Sequence, residues 1–145
     1  LFGLEFHRAK LYNHRIGFLM IDVDRFKQIN DHYGHNAGDD VLVEISRQLV
    51  ETLRESDIVV RYGGDEFLVI LPEPDGETEV ARDRIIASMA TNKRFAHLLK
   101  EPVTLSIGCA HWDPTDPRTI DRVLSDADEE MYRIKRAGRE QAPGM

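Results

Sequence analysis

Cysteine is almost absent from this chain. Cys109 is the single one among 145 residues, so no disulfide can close within it, and its setting in Val103-Thr104-Leu105-Ser106-Ile107-Gly108-Cys109 suits a small core residue in a reducing compartment. Positive charge is also in deficit: 19 Lys and Arg face 26 Asp and Glu, a formal net charge of −7 with neutral histidines. That balance argues against broad electrostatic binding to nucleic acid, and any phosphate ligand must meet local cations. Long apolar runs are missing too. The longest, Ile16 to Ile21, falls far short of the ~20 residues of a membrane span. The first residues show no basic segment followed by an apolar stretch and a small-residue cleavage site. The expected compartment is therefore the cytoplasm, with no membrane contact from this chain, although a parent protein could be membrane-anchored. Repeats, low-complexity stretches and Gly/Ser linkers are lacking as well, so one domain over residues 1–145 is expected.

What remains is a composition that can bury a core, 41% apolar, arranged in alternating patterns. Leu4 to His14 reads as a helix and Ile16 to Val23 as a short buried strand ending in carboxylates. A polar segment, Asp24 to Asp31, precedes a punctuating Tyr33 to Asp39. Beyond it Leu42, Ile45, Leu49 and Leu53 fall on one helical stripe. Asp57 to Tyr62 and Asp65 to Leu71 are strand-like runs separated only by Gly63-Gly64. This predicts a hairpin with a two-residue primed turn, in which glycine reaches positive φ without penalty. Pro72 and Pro74 end that strand. Glu77 to Asn92 predicts a helix, Thr91 to Glu101 predicts no particular element, and Pro102 to Trp112 returns to strand. Ile120, Val123, Leu124, Ala127, Met131 and Ile134 mark a final helix over Thr119 to Gly138, with Gly138 as its cap. The order predicts an α/β (α+β) domain with a central mixed, mostly antiparallel sheet flanked by helices.

Asp22 and Asp24 share one side of the strand end, and they lie beside Asp65 and Glu66 if the hairpin pairs with that strand. Four converging acids repel unless a divalent cation neutralises them, and hard oxygen ligands suit magnesium, which shares its shell with substrate phosphates. Spacing alone fits equally well with Asp24 and Asp65 as caps of their elements. Lys135 and Arg139, four apart, leave one face of the last helix and could clamp phosphate, or simply complement the helix dipole. Lys27 adds a cation beside a helix start whose free amides also suit phosphate.

The stretch Arg61-Tyr62-Gly63-Gly64-Asp65-Glu66-Phe67 resembles the signature of the GGDEF family, the diguanylate cyclases. Asp22-Val23-Asp24-Arg25-Phe26-Lys27-Gln28-Ile29-Asn30-Asp31, Tyr33-Gly34-His35 and Gly38-Asp39 are similar to that family's first block in content and spacing. Val103 to Gly108, together with Ala127-Asp128, Met131-Tyr132, Lys135 and Gly138-Arg139, resemble its last two blocks. The likeness covers nearly the whole chain. One departure is the missing Asp-x-Leu-Thr-Gly-Leu-x-Asn-Arg turn with which the family usually opens, so the chain is expected to begin inside the helix that follows that turn.

The resemblance implies a fold like the palm of nucleotide cyclases and polymerases. It also implies condensation of two GTP molecules into cyclic di-GMP with loss of pyrophosphate, each GTP held by one protomer of an antiparallel homodimer. By the same resemblance, Asp22, the Val23 carbonyl and Asp65 hold two Mg2+ or Mn2+ ions, with the catalytic Glu66 assisting the metals or the 3′-hydroxyl. Lys27, Lys135 and Arg139, with amides around Arg25 and Phe26, take the β- and γ-phosphates. Asn30 and Asp39 take guanine, and Gly63 and Gly64 complete the substrate site. Paired metals supply the lowered hydroxyl pKa and the leaving-group stabilisation that in-line attack needs. Arg54 and Asp57, an R-x-x-D before the hairpin, match an inhibitory product site, with Arg84 as a candidate second arginine; arginine can read the O6 and N7 edge of guanine. A sensory or receiver domain is expected in the parent protein. The alternative is a silent regulatory module that binds GTP or cyclic di-GMP, against which the intact Gly63 to Phe67 stretch speaks.

Overall fold

Ile16–Val23 forms β1, and all eight of its residues are buried. The computed structural model describes residues 14–72 and 78–140, the side chains of 139 and 140 excepted. β1 pairs with β3 (Glu66–Pro72) on one side and β4 (Leu105–Trp112) on the other. With β2 (Ile58–Arg61) outside β3, the order is β2-β3-β1-β4. Every pairing among the described residues is antiparallel, so the expected, mostly antiparallel sheet is realised at its antiparallel limit.

Strand alternation divides β1 between two cores. Leu19, Ile21 and Val23 pack with Val41, Leu42, Ile45 and Leu49 of α2 (His35–Thr52) and with Ile85 and Met89 of α3 (Thr78–Ala90). Phe18 and Met20 pack against Val123, Ala127 and Met131 of α4 (Ile120–Glu140) on the opposite face. Helices thus cover the sheet on both sides, which is why β1 shows no polar alternation until Asp22. Cys109 lies in the first core and Trp112 in the second. α4 approaches β4 most closely at Gly108, where a Cβ would stand 2.0 Å from the Ala127 carbonyl oxygen and 2.4 Å from the Met131 nitrogen. Only glycine permits that approach.

Several local expectations change. The hairpin connection is not a two-residue primed turn: Tyr62 and Gly63 both donate to the Glu66 carbonyl, at 2.9 and 3.3 Å, so Gly63, Gly64 and Asp65 make a three-residue loop. Across the sheet the Asp65 carbonyl accepts the Val23 N–H at 3.1 Å, one step beyond the Asp22–Glu66 pair in the β1–β3 register. Neither glycine adopts positive φ; among the described residues only Arg25 and Gly34 do. The polar segment after β1 is helical, as α1 (Phe26–Tyr33), and Gly34 alone separates it from α2. The connection without a predicted element carries a 3-10 turn at Arg94–His97. Gly138 does not cap α4, which runs on to Glu140. Leu4 to Asn13 and Pro74 lie outside the described residues. No helix among the described residues is long and apolar enough to cross a membrane.

Candidate active site

The sheet register sets Asp22 opposite Glu66 on one side and Ser106 on the other. Asp65 follows in the hairpin loop, and one carboxylate oxygen from each of Asp22, Asp65 and Glu66 lies within 4.8 Å of the others. Lys135 reaches this cluster from α4, its Nζ 2.9 Å from Asp22 Oδ2. Asp22 Oδ1 is buried without a hydrogen-bond partner. Burial pushes the Asp22 carboxyl above its ordinary value, with Lys135 opposing and Asp65 adding to the rise. The Glu66 carboxyl is also raised, first by burial and then by the charges of Asp22, Asp128 and Asp65. Among the described residues one ammonium faces three carboxylates, and one Asp22 oxygen is left without a partner. This donor set fits a hard divalent cation.

The fourth acid expected here points elsewhere. Asp24 lies one residue beyond the end of β1, and its carboxylate accepts from Thr104 Oγ1 at 2.7 Å and Ser106 Oγ at 2.6 Å. Lys135, expected on phosphate, pairs here with Asp22, because one turn of α4 beyond Met131 brings its chain over the buried carboxylate. Arg139 lies in the last turn of α4, and its side chain is outside the described residues. Lys27 is exposed on α1. Arg25 caps that helix in the left-handed region, φ 58 and ψ 32, and no side chain bonds to the helix start. The amides around Arg25 and Phe26 therefore begin an uncapped helix, a suitable seat for an anion.

Asn30 and Asp39 come from adjacent helices. The Asn30 side chain packs where a Gly38 Cβ would stand, 1.8 Å from that point, and its buried Oδ1 has no hydrogen-bond partner; Asp39 beside it is exposed. A Cβ on Gly64 would meet nothing within 4 Å, so neither the chain's own packing nor its backbone angles demand glycine there. Arg61 braces this loop, its guanidinium donating to the Gly63 and Gly64 carbonyls at 3.4 and 2.7 Å.

Arg54 and Asp57 form a closed turn. The Arg54 amide donates to Asp57 Oδ2 at 2.9 Å, and its Nη2 reaches Asp57 Oδ1 and the Pro72 carbonyl, both at 3.2 Å. Arg84 stands exposed on α3. Sequence reasoning assigned no role to Thr104 and Ser106, the partners of Asp24. The available signal was two hydroxyls at strand spacing, Thr104 just before β4 and Ser106 within it, opposite an acid-rich strand end.

The known proteins that this chain resembles agree with the geometry. The family model described as "Diguanylate cyclase, GGDEF domain" matches residues 2–141, and the chain belongs to that family. It is 38% identical over 141 residues to diguanylate cyclase DosC of Escherichia coli, covering 96% of this chain and 30% of DosC. It is 43% identical over 133 residues to diguanylate cyclase TpbB of Pseudomonas aeruginosa, covering 90% of this chain and 30% of TpbB. The crystal structure of the TpbB GGDEF domain superposes with a TM-score of 0.82 at 40% identity, covering 92% of this chain and 84% of that one. The GGDEF domain of DgcB from Caulobacter crescentus, solved in complex with c-di-GMP, superposes with a TM-score of 0.81 at 26% identity, covering 94% and 81%. The chain thus spans under a third of the two curated relatives.

Proposed function

We propose that this domain is a diguanylate cyclase that condenses two GTP molecules into cyclic di-GMP and releases pyrophosphate. The observation that carries the reading is the convergence of Asp22, Asp65 and Glu66, with one oxygen left unpartnered, in a chain of this family. Asp22, Asp65, Glu66 and the Val23 carbonyl are the candidate holders of two Mg2+ or Mn2+ ions. When bound, such ions lower the pKa of a 3′-hydroxyl and stabilise charge on the departing pyrophosphate. Glu66, beside Asp22 and Asp65, assists the metals or the 3′-hydroxyl.

Lys27, Arg139 and the amides at Arg25 and Phe26 serve the phosphates. Lys135 balances Asp22 in the structure; with a divalent ion supplying that balance, its ammonium can turn to phosphate. The Asn30 amide oxygen and the Asp39 carboxylate accept from the N–H donors of guanine. Adenine lacks that pair and leaves the acceptors unsatisfied, so discrimination is expected to be large. Gly63 and Gly64 let the loop approach the substrate closely.

Because the nucleophile and the electrophile belong to separate GTP molecules, turnover requires two protomers facing antiparallel. Arg54, Asp57 and Arg84 form the candidate inhibitory site for product, with the input coming from a sensory or receiver domain of the parent protein. GTP consumption places this reaction in the cytoplasm. The test is incubation with GTP and Mg2+ over a range of protein concentrations, with products separated by chromatography. Cyclic di-GMP formed at a rate rising faster than linearly with protein is expected. Binding of GTP without any product would replace this reading with a silent nucleotide-binding module.

A further inference from the structure

Asp24 lies two residues beyond Asp22 but turns from the acid cluster toward β4. Its amide donates to the Thr104 carbonyl at 3.0 Å, while its two carboxylate oxygens separately accept the Thr104 and Ser106 hydroxyls at 2.7 and 2.6 Å. These are the short contacts of charge-assisted bonds. One of the two hydroxyls, that of Ser106, belongs to a residue only 4% exposed. The preceding amide, of Val23, is held by the Asp65 carbonyl at 3.1 Å. The chain is therefore pinned from both neighbouring strands immediately before Arg25, which adopts a backbone conformation that non-glycine residues rarely take (φ 58). No side chain caps the helix that follows, so the restraint on this turn comes from before it.

We propose that Asp24 is a positioning residue, clamped by the Thr104 and Ser106 hydroxyls, that holds the Val23 carbonyl and the left-handed Arg25 turn in register with the acid cluster. The acid is thus neither a metal ligand nor a simple helix cap. The clamp rests on the reading of the Val23 carbonyl as a metal contact and of the Arg25 and Phe26 amides as phosphate contacts. A strained turn persists only where its surroundings over-determine it, and here the surroundings are two hydroxyls, one just before β4 and one within it, a strand that carries none of the clustered acids.

The test is a double-mutant cycle in the full chain, read by amide hydrogen exchange at residues 23–27 and by the separate kcat and KM for GTP with Mg2+. Removing both hydroxyls, as Thr104→Val with Ser106→Ala, is expected to speed exchange in this segment and raise KM for GTP by about 10- to 100-fold, with a smaller change in kcat. Thr104→Ser, which keeps a hydroxyl, should restore most of that loss. In an Asp24→Ala background, removing the same hydroxyls should change either readout by no more than about twofold, since their partner is gone. Asp24→Asn serves where Asp24→Ala does not fold. Additive effects around the cycle would overturn the clamp. So would loss of Mn2+ binding in Asp24→Asn with wild-type Mn2+ binding in the hydroxyl variants, which would make Asp24 a direct ligand. Should the wild-type chain neither bind nor turn over GTP, the functional reading fails, yet the exchange cycle still decides the clamp by its additivity.

Discussion

α4 carries charged clusters toward both ends, and they are built in opposite ways. Before its first turn, Arg118 donates to Asp116 at 2.6 Å, to Asp126 at 2.9 Å and to the His111 carbonyl at 2.7 Å, while Arg122 meets Asp126 at 3.2 Å. Arg118 holds the Asp116 carboxyl down at about 2. Near the other end, among the described residues, Lys135 alone faces three carboxylates, and those of Asp22 and Glu66 are pushed up. The first cluster is complete within the chain. The second needs charge from outside. The acids of the first cluster are matched by arginine, whereas those of the second meet, among the described residues, a single lysine.

The sharpest way to break this contrast is to remove acids from the incomplete cluster. Asp65→Ala or Glu66→Ala should lower turnover about a thousandfold, the equivalent of several kcal/mol of transition-state stabilisation. The fold should survive, because both residues lie at the loop end of the hairpin. Wild-type rates from a folded Glu66→Ala chain would remove it from the metal site. In the complete cluster the effect moves to stability: Arg118→Ala should cost about 1–3 kcal/mol in urea unfolding, because it removes the guanidinium from two part-buried carboxylates and leaves them the residue-118 amide and Arg122.

Titration should give the two clusters opposite signs. Asp116 has a lowered folded value, so its contribution is present above its ordinary 3.8 and is lost as pH falls from there through about 2. Arg118→Ala should flatten that acid limb. Glu66 has a raised folded value, so its contribution is fully present below its ordinary 4.5 and is lost as pH rises above it. In chelator, Glu66→Gln should therefore raise Tm at pH 7 and lose that advantage near pH 4. Adding Mg2+ to the unsubstituted chain should raise Tm more at pH 7 than at pH 5, where protons compete for the same oxygens. The smallest effect is expected at Arg54→Ala, which should raise the product concentration for half-inhibition about tenfold, the value of one guanine-edge contact. Unchanged inhibition would reduce Arg54 and Asp57 to a turn that closes on itself.

Patterns that depend on burial were legible in the sequence. β1 was readable from end to end because a strand covered on both faces must be apolar until it reaches the site, and the stripes of α2 and α4 followed from the same demand. The convergence of Asp22, Asp65 and Glu66 followed from strand period and hairpin pairing. What escaped depends on bonds across the sheet. The hairpin loop has three residues because the β2–β3 register sets Tyr62 opposite Glu66, and no local rule for glycine pairs contains that register. Asp24 left the cluster because two hydroxyls roughly eighty positions later were waiting for it. The Lys135–Asp22 pair escaped for a related reason: the depth of the lysine's reach is set by how closely α4 lies on the sheet.

That last dependence gives Gly108 an importance its chemistry would never suggest. With no side chain at Gly108, the helix backbone at Ala127 and Met131 rests against the strand there, and Lys135 sits one turn past the point of contact. A methyl group there must lift the helix or bend it, and the ammonium would withdraw from the carboxylates by a comparable distance. A substitution in the middle of a strand, touching no substrate, would then behave in assays as a defect in phosphate handling. The missing atom acts as a spacer of zero thickness, and the reach of a charged group into the site is calibrated by it.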